Sequence, residues 1–426
     1  FLKQLMIKKT LYLLILLSFS GVYAQDTFKT MFYNLLNFPL QEPASDRLDE
    51  LDIILSNYQP DLFMVCELNN SSGANAILNM MQQSINVNYQ MANFTLNSSD
   101  NNLGDQNDLQ NLIYFDSTKF SLEGQNQVTT IYRDFNHYQL KLNTLTQDTD
   151  PIYLNVIVCH LKASSGTTNQ QLRFQMAQDL TTYLSTFSSN DYFLLAGDFN
   201  VYTNSEPAFQ EFINPTNNIT FIDPANRMGS WHNNQSYVDV FTQSTRTATG
   251  LGGTTGGFDD RFDFILTSTS LTNNPELQFT PNSYQVYGNN NNPNCWNSAI
   301  NSNDCSGVLF SQSIRESLHN FSDHLPVTLN IETNQNFLNV PDVVVKKPVF
   351  EIIGSNMVSS LLNLKINASL KKDNNLKIYN TLGQVVKTIF INNKTINVDI
   401  SYLSNGIYYI SLNNINVQPL KFVKVN

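Results

Sequence analysis

Positive charge is scarce in this chain. Its 426 residues hold 24 Lys and Arg against 35 Asp and Glu, a formal net charge of −11. That balance argues against a broad basic face able to capture a polyanion or an anionic membrane from a distance. Cysteine is scarce too: there are four, with no CxxC pair, which speaks against a structural zinc centre and a dense disulfide scaffold. Long apolar runs are missing. Leu11–Leu17 is far shorter than the ~20 residues that span a bilayer, and no later segment approaches that length, so no stable membrane insertion is expected.

The two ends differ from the middle. Lys8 and Lys9 precede Leu11–Leu17, and Val22-Tyr23-Ala24 offers a small-residue cleavage site. Residues 1–24 are read as upstream residues plus a signal peptide, with Met6 as the expected start and Gln25 as the first mature residue. Residues 348–426 read as short alternating strands split at Gly383 and Gly406. The polar, then Pro-flanked stretch 334–347 is read as a linker. Charge divides in the same place. Residues 342–426 hold ten Lys against four acids, about +6, whereas residues 25–341 hold eleven Lys and Arg against thirty-one acids, about −20.

Residues 26–333 alternate strand and helix patterns. "TFKTMFYNLLNF" predicts a strand running into a loop. Leu48, Leu51, Ile54, Leu55 and Tyr58 recur at helical spacing over Ser45–Tyr58, with Pro60 at the exit. "DLFMVCEL" is apolar on both faces, as a central strand is. Further predicted elements are a helix over Ala74–Ile85, strands at "NLIYF", "YQLKLNTL" and "IYLNVIVCH", and a helix carrying Leu172, Met176, Leu180 and Tyr183. The strands "YFLLAGDFN", "RFDFILTS" and "LPVTLNIE" follow. Gly250–Gly257 and Asn289–Asn303 read as loops.

Polar residues sit at the ends of these apolar runs in a fixed order. They are Asn34, Glu67 in "FMVCELNN", His160 in "VIVCHLKA", Asp198 and Asn200 in "LLAGDFN", Asp263 in "DDRFDFIL", and Asp323-His324 in "SDHLPV". A carboxylate in an apolar strand, as at Glu67, is costly unless paired or ligating. Phosphodiester hydrolysis needs neutralised phosphoryl oxygens, a positioned water and a proton for the leaving oxygen. Asp198 and Asn200, two apart, would project to one side of an extended segment. Asp323 and His324 can converge only if the chain bends there. Cys66 and Cys159 precede Glu67 and His160 and would face away from them as buried hydrophobes. Cys295 and Cys305 bracket an Asn-rich loop that a disulfide could close.

This ordered set resembles the endonuclease/exonuclease/phosphatase superfamily, deoxyribonuclease I included, over residues 26–333. The resemblance implies an α/β domain built as a four-layer α-β-β-α sandwich and a metal-dependent phosphodiesterase. It implies catalytic roles for His160, Asp198, Asn200, Asp263 and His324, with Asp263 orienting His324 and Glu67 or its metal beside His160. Pairing of that kind favours the charged imidazole. Asn34, Glu67 and Asp323 are the expected ligands of Mg²⁺ or Mn²⁺, with Ca²⁺ open, because oxygen donors suit hard cations. Arg246 and Arg133 are candidate phosphate contacts, against the alternative of salt-bridge or surface roles. The C-terminal segments "NTLGQ" and "LSNGIYY" resemble the type IX secretion sorting domain of Bacteroidetes, a small β-sandwich, against the alternative of a carbohydrate-binding module. That resemblance implies export through the periplasm to the outside or the cell surface, with the type IX machinery as partner.

Substrate choice stays open among readings. The leading one is a monomeric secreted nuclease acting on DNA or RNA. The others are a sphingomyelinase-like lipid phosphodiesterase, for which Trp296 is the candidate membrane anchor, another secreted phosphatase, and a non-catalytic binding module.

Overall fold

The computed structural model describes residues 26–41, 44–99, 109–338, 350–366, 375–391, 393–412 and 419–426. The expected signal peptide and residues 339–347 of the expected linker lie outside them. The chain divides into two compact units, Phe1–Val344 and Val345–Asn426.

Two sheets form the centre of the N-terminal unit. The first begins with β1 (Asp26–Phe38), β2 (Leu62–Leu68), β3 (Tyr89–Met91) and β4 (Gln110–Asp116). The second holds β5 (Phe120–Val128), β6 (Phe135–Leu142), β7 (Tyr153–His160), β8 (Tyr192–Asp198), β9 (Phe221–Ile222) and β10 (Asp263–Ser268). The chain then returns to the first sheet as β11 (Leu277–Phe279), β12 (Gln285–Val286) and β13 (Val327–Thr333). Strand orders are β11-β13-β1-β2-β4-β3, with β12 also on β13, and β5-β6-β7-β8-β10-β9. Only β1–β2 and β7–β8 are parallel in these sheets. The sheets pack face to face: Phe28 of β1 meets Phe120 of β5 edge-on, and Asn111 of β4 donates to the Val158 carbonyl of β7. This is why β2 is apolar on both sides.

Helices cover the outer faces. On the first sheet lie α1 (Ala44–Tyr58) and α2 (Ser71–Ser84), bonded to it through Tyr58 Oη to Thr30 O and Tyr114 Oη to Ala74 O. Asn70 caps α2 by accepting from Gly73 N. The second sheet carries α3 (Thr167–Leu184) and α4 (Pro207–Phe212). A further helix, α5 (Gln312–Phe321), packs beside α1. The N-terminal unit is thus a four-layer α-β-β-α sandwich, and no described helix is long and apolar enough to cross a membrane.

The C-terminal unit has strands β14 (Phe350–Ile352), β15 (Met357–Val358), β16 (Leu361–Ile366), β17 (Asn375–Tyr379), β18 (Val385–Phe390), β19 (Thr395–Asp399), β20 (Gly406–Leu412) and β21 (Leu420–Lys424). They form a three-stranded sheet, β14-β16-β19, and a five-stranded one, β15-β21-β20-β17-β18. Their inner faces share one apolar core containing Phe350, Leu364, Ile378, Ile410 and Phe422. Gly383, at φ +77, makes the β17–β18 hairpin, a left-handed position that suits glycine.

Candidate active site

Sheet register gathers the first polar group. In the parallel β7–β8 pair His160 lies beside Asp198, and in the antiparallel β8–β10 pair Asp198 lies beside Asp263. A Cβ on Gly197 would stand 2.4 Å from Cys159 Sγ and 2.5 Å from its carbonyl oxygen, so only glycine lets these strands approach at the point where they deliver His160 and Asp198. Cys66 and Cys159 are buried free thiols behind them. After Asp198 the chain leaves the sheet. Asn200 adopts φ 52, its N–H donates to Asp198 Oδ1 (3.0 Å), and its side chain donates to the Leu161 carbonyl (3.3 Å). A turn, not the alternation of an extended strand, therefore brings Asp198 and Asn200 to the same cleft, because the aspartate competes for the backbone two residues on.

The first sheet contributes Asn34 and Glu67. The β1–β2 register shifts after Asn34, and Glu67 there takes φ 57. Its Oε2 accepts from Asn37 N (3.0 Å) and its Oε1 from Asn34 Nδ2 (3.0 Å). Asn34 Nδ2 also donates to Asp198 Oδ2 (3.1 Å). Asn34 Oδ1 accepts the Leu36 N–H (3.0 Å), and the amide nitrogen stands as a donor between two carboxylates.

The segment before β13 supplies the rest. Ser322 Oγ accepts from His324 N (3.1 Å) and donates to the Asn34 carbonyl (2.8 Å), which bends the chain so that Asp323 and His324 both face the cleft. His324 Nδ1 bonds Asp263 Oδ2 (2.7 Å), and its Nε2 lies 3.8 Å from Asp198 Oδ2. Asp323 Oδ2 accepts from Thr254 N (2.6 Å), on the glycine-rich loop, and from Gln243 Nε2 (3.3 Å).

Glu67, His160, Asp198, Asn200, Asp323 and His324 line one cleft of about 770 Å³, and Asn34 and Asp263 act on it through their bonds to Glu67, Asp198 and His324. Burial pushes the Asp198 carboxyl up to about 8, against the opposing pull of His324, with Asp263 and Glu67 adding to the rise. Burial and Asp323 raise Glu67 as well. For His324 burial favours the neutral ring, but Asp263, Asp323 and Asp198 outweigh it and hold the ring well above its ordinary value. His160 goes the other way. Its Nε2 is 3.9 Å from Glu67 and 3.6 Å from Asp198, too far for a hydrogen bond, and burial together with Arg133, His324 and Lys162 holds the ring well below its ordinary value. One oxygen each of Asp263 and Asp323, and His160 Nδ1, are buried without a hydrogen-bond partner. Ligand atoms of Glu67, His160 and Asp198 lie within 4.8 Å of one another, as do those of Asp198, Asp263 and His324.

Arg246 is not in the cleft. It is fully buried and donates to the carbonyls of His319, Asn320, Leu251 and Gly252, pinning the glycine-rich loop to the end of α5, so its expected phosphate contact is corrected to a brace. Arg133 does line the cleft. It donates to the Leu161 carbonyl (3.0 Å), Lys162 donates to the Ala163 carbonyl (3.0 Å), and both cations lie over the Tyr132 ring. Among the described residues neither has an ion-pair partner. Sequence reasoning missed Gln243, which touches Asp323 and His324, and the wall formed by Tyr202, His232 and Asp260. Gln243 has no local signal. "SWHNN" and the acidic pair in "FDDRF" offer one only in hindsight of their contact. A disulfide joins Cys295 and Cys305, and Trp296 beside it packs against the core.

Residues 356–425 match the family model of the secretion system C-terminal sorting domain. No curated protein matches the chain. Among solved structures, the chain is similar to the human Nocturnin catalytic domain at 15% identity and TM-score 0.45, covering 72% of this chain and 97% of that one. It is similar to an endonuclease/exonuclease/phosphatase from Bacteroides vulgatus at 12% identity and TM-score 0.47, covering 72% and 99%. For D. rerio TDP2 in complex with single strand DNA product, identity is 14%, TM-score 0.45, and coverage 72% and 100%. The chain carries a secretion system C-terminal sorting domain, which indicates export to the cell surface or beyond, and over 72% of its length it is similar in fold to a protein of the endonuclease/exonuclease/phosphatase type.

Proposed function

We propose that the N-terminal unit is a secreted, metal-dependent phosphodiesterase that cleaves DNA or RNA. The observation that carries this reading is the surrounding of Asp198: buried, close to Asn34, His160 and His324, and crowded by Glu67 and Asp263. Such crowding of carboxylates suits a hard divalent cation, and two of their oxygens are left without partners. Glu67 would hold it, with Asp198 in reach, and Asp323, an acid of the same cleft that acts on Glu67, would add a further oxygen. When bound, Mg²⁺ or Mn²⁺ supplies charge neutralisation at the phosphoryl oxygens.

The chain's own groups divide the remaining work. Asp198, its Oδ1 fixed by Asn200 N, orients the attacking water and takes its proton. Asn200 holds a phosphate oxygen. His324, aimed and kept charged by Asp263, stabilises the negative charge that develops on the phosphoryl group. His160, neutral in the resting site, has Nε2 beside Asp198 and would pass to the leaving oxygen the proton that Asp198 takes from the water, ending neutral again. Arg133 and Lys162, unpaired cations on the His160 side, are the groups able to draw a phosphodiester into an otherwise acidic unit.

The lipid reading loses its anchor, since Trp296 packs against the core rather than standing out as an exposed tip. Purified protein assayed on DNA, RNA, sphingomyelin and a phosphate monoester, each with Mg²⁺, Mn²⁺ or Ca²⁺, tests the proposal. Cleavage of nucleic acid that stops on chelation is the expected result. Turnover of sphingomyelin alone, or activity that survives exhaustive EDTA treatment, would overturn it.

A further inference from the structure

A second His–Asp pair stands on the cleft wall, apart from His324–Asp263. His232 Nδ1 lies 2.7 Å from Asp260 Oδ1, with the imidazole side chain 50% exposed and the carboxylate behind it 12% exposed. The ring is held from several sides. Tyr202 meets it edge-on at 5.0 Å and is itself met edge-on by Phe262 at 5.0 Å. The His232 N–H donates to the Tyr202 carbonyl (3.3 Å) and the Asn233 N–H to the Asp259 carbonyl (2.8 Å). Behind it, Asp260 exchanges two backbone hydrogen bonds with Gln243, whose side chain touches His324. His232, Tyr202 and Asp260 line the same cleft as Asn200 and Asp198.

Two features set this pair apart from an ordinary surface ion pair. An exposed pair contributes little to stability, and this one spends a mostly buried carboxylate on it. The carboxylate also takes Nδ1, so the ring has only Nε2 left to offer to the cleft. A ring that bridges Asp260 and an anionic substrate oxygen faces an acceptor at each nitrogen and so donates from both. An imidazole fixed at Nδ1, with Nε2 free on the wall of a phosphodiester cleft, is suited to an anionic oxygen. The pair lies one paired-backbone step from His324, beyond the groups that surround the reacting phosphate.

We propose that His232, aimed by Asp260, contacts a phosphate of the substrate next to the one being cleaved, and so makes the enzyme favour chains of nucleotides over isolated diesters. This rests on the nuclease reading above and adds a specificity-determining residue to it. The test compares kcat/KM for an oligodeoxynucleotide with that for bis(4-nitrophenyl) phosphate, which has no neighbouring phosphate, in Mg²⁺. The wild type is compared with His232→Ala, His232→Lys and Asp260→Asn, each checked for folding by circular dichroism. In His232→Ala the ratio of the two values is expected to fall about tenfold, mostly through KM of the oligonucleotide. His232→Lys, which restores a cationic donor, should recover part of the ratio. Asp260→Asn should fall between the wild type and His232→Ala. An unchanged ratio in folded His232→Ala would overturn the inference while leaving the nuclease reading intact. A wild type that hydrolyses the small diester but no nucleic acid would overturn both.

Discussion

In the N-terminal unit Arg173 meets Glu206 at 2.7 Å and Arg261 meets Asp223 at 2.8 Å, with all four side chains almost wholly buried. In the C-terminal unit Lys365 meets Glu351 at 3.2 Å, with both side chains about half exposed. Among the described residues of that unit Lys424 is the only buried polar or charged side chain, whereas the N-terminal unit also buries Arg47, Arg133, Arg246 and Arg315. Buried ion pairs are a poor way to gain stability. Here they hold loops: Arg173 also binds the Lys162 and Ser164 carbonyls beside the cleft, and Arg246 binds the glycine-rich loop. A small sandwich with no site to shape needs only its apolar core.

The largest contrast should come from breaking one pair in each unit. Arg261→Met leaves Asp223 buried without its partner and should cost about 3–5 kcal/mol, whereas Lys365→Ala should cost no more than about 1 kcal/mol. Urea denaturation of each variant reads both, and similar losses would erase the distinction. Next in size are the site residues. Asp198→Asn, His160→Ala and His324→Ala should each lower turnover by about 10²-fold or more with the circular dichroism spectrum unchanged. Near-wild-type rates for any one would remove that residue from the machinery.

A smaller effect follows from the raised carboxyl. Asp198 titrates at about 8 in the folded chain instead of 3.8, so the stability tied to its proton is complete below about pH 3.8 and is lost as pH rises through about 8. His324, raised above its ordinary 6.5, acts in the same direction: its share is complete below about 6.5 and is lost above its own folded value. The metal-free protein should therefore lose Tm from about pH 3.8 to about 8, most steeply above about 6.5, and Mg²⁺ should return more of it at the upper end. A Mg²⁺ effect that does not vary with pH would show that the cation does not answer to these groups. The smallest effect is expected from removing the C-terminal unit. Deleting Val345–Asn426 should leave specific activity within about twofold, because every proposed site residue lies before that point; a large loss would give the sorting domain a part in the enzyme.

The sequence made the sheet edges readable because apolar runs ended on single polar residues: Glu67, His160, Asp198 and Asp263 all mark where a strand stops or meets its neighbour. Helix α1 was legible from spacing to within one residue at its start. Two things escaped. The strand placed at "YQLKLNTL" in fact spans Phe135–Leu142, since Asn143 and Thr144 turn away to bind side chains elsewhere. Helix α5 carries Ile314, Leu318 and Phe321 on one face behind a Ser311 cap, a pattern present in the sequence but only ten residues long. In the site, Gln243 and Asp260 were hidden because their meaning depends on pairing across loops distant in sequence. Arg246 was misjudged for a related reason: composition shows a cation, not whether it turns inward to carbonyls.

That inward turn has a consequence for how the protein finds a substrate. Six of the eleven cations in residues 25–341 are buried arginines. Apart from Arg133, which lines the cleft, these side chains offer no charge to the solvent, while most of the unit's thirty-one acids are not buried. A polyanion approaching from bulk water meets repulsion and is not steered towards the cleft. Encounter should be slow at low ionic strength and quicken as salt screens that field, the opposite of a protein that slides along nucleic acid on a basic face.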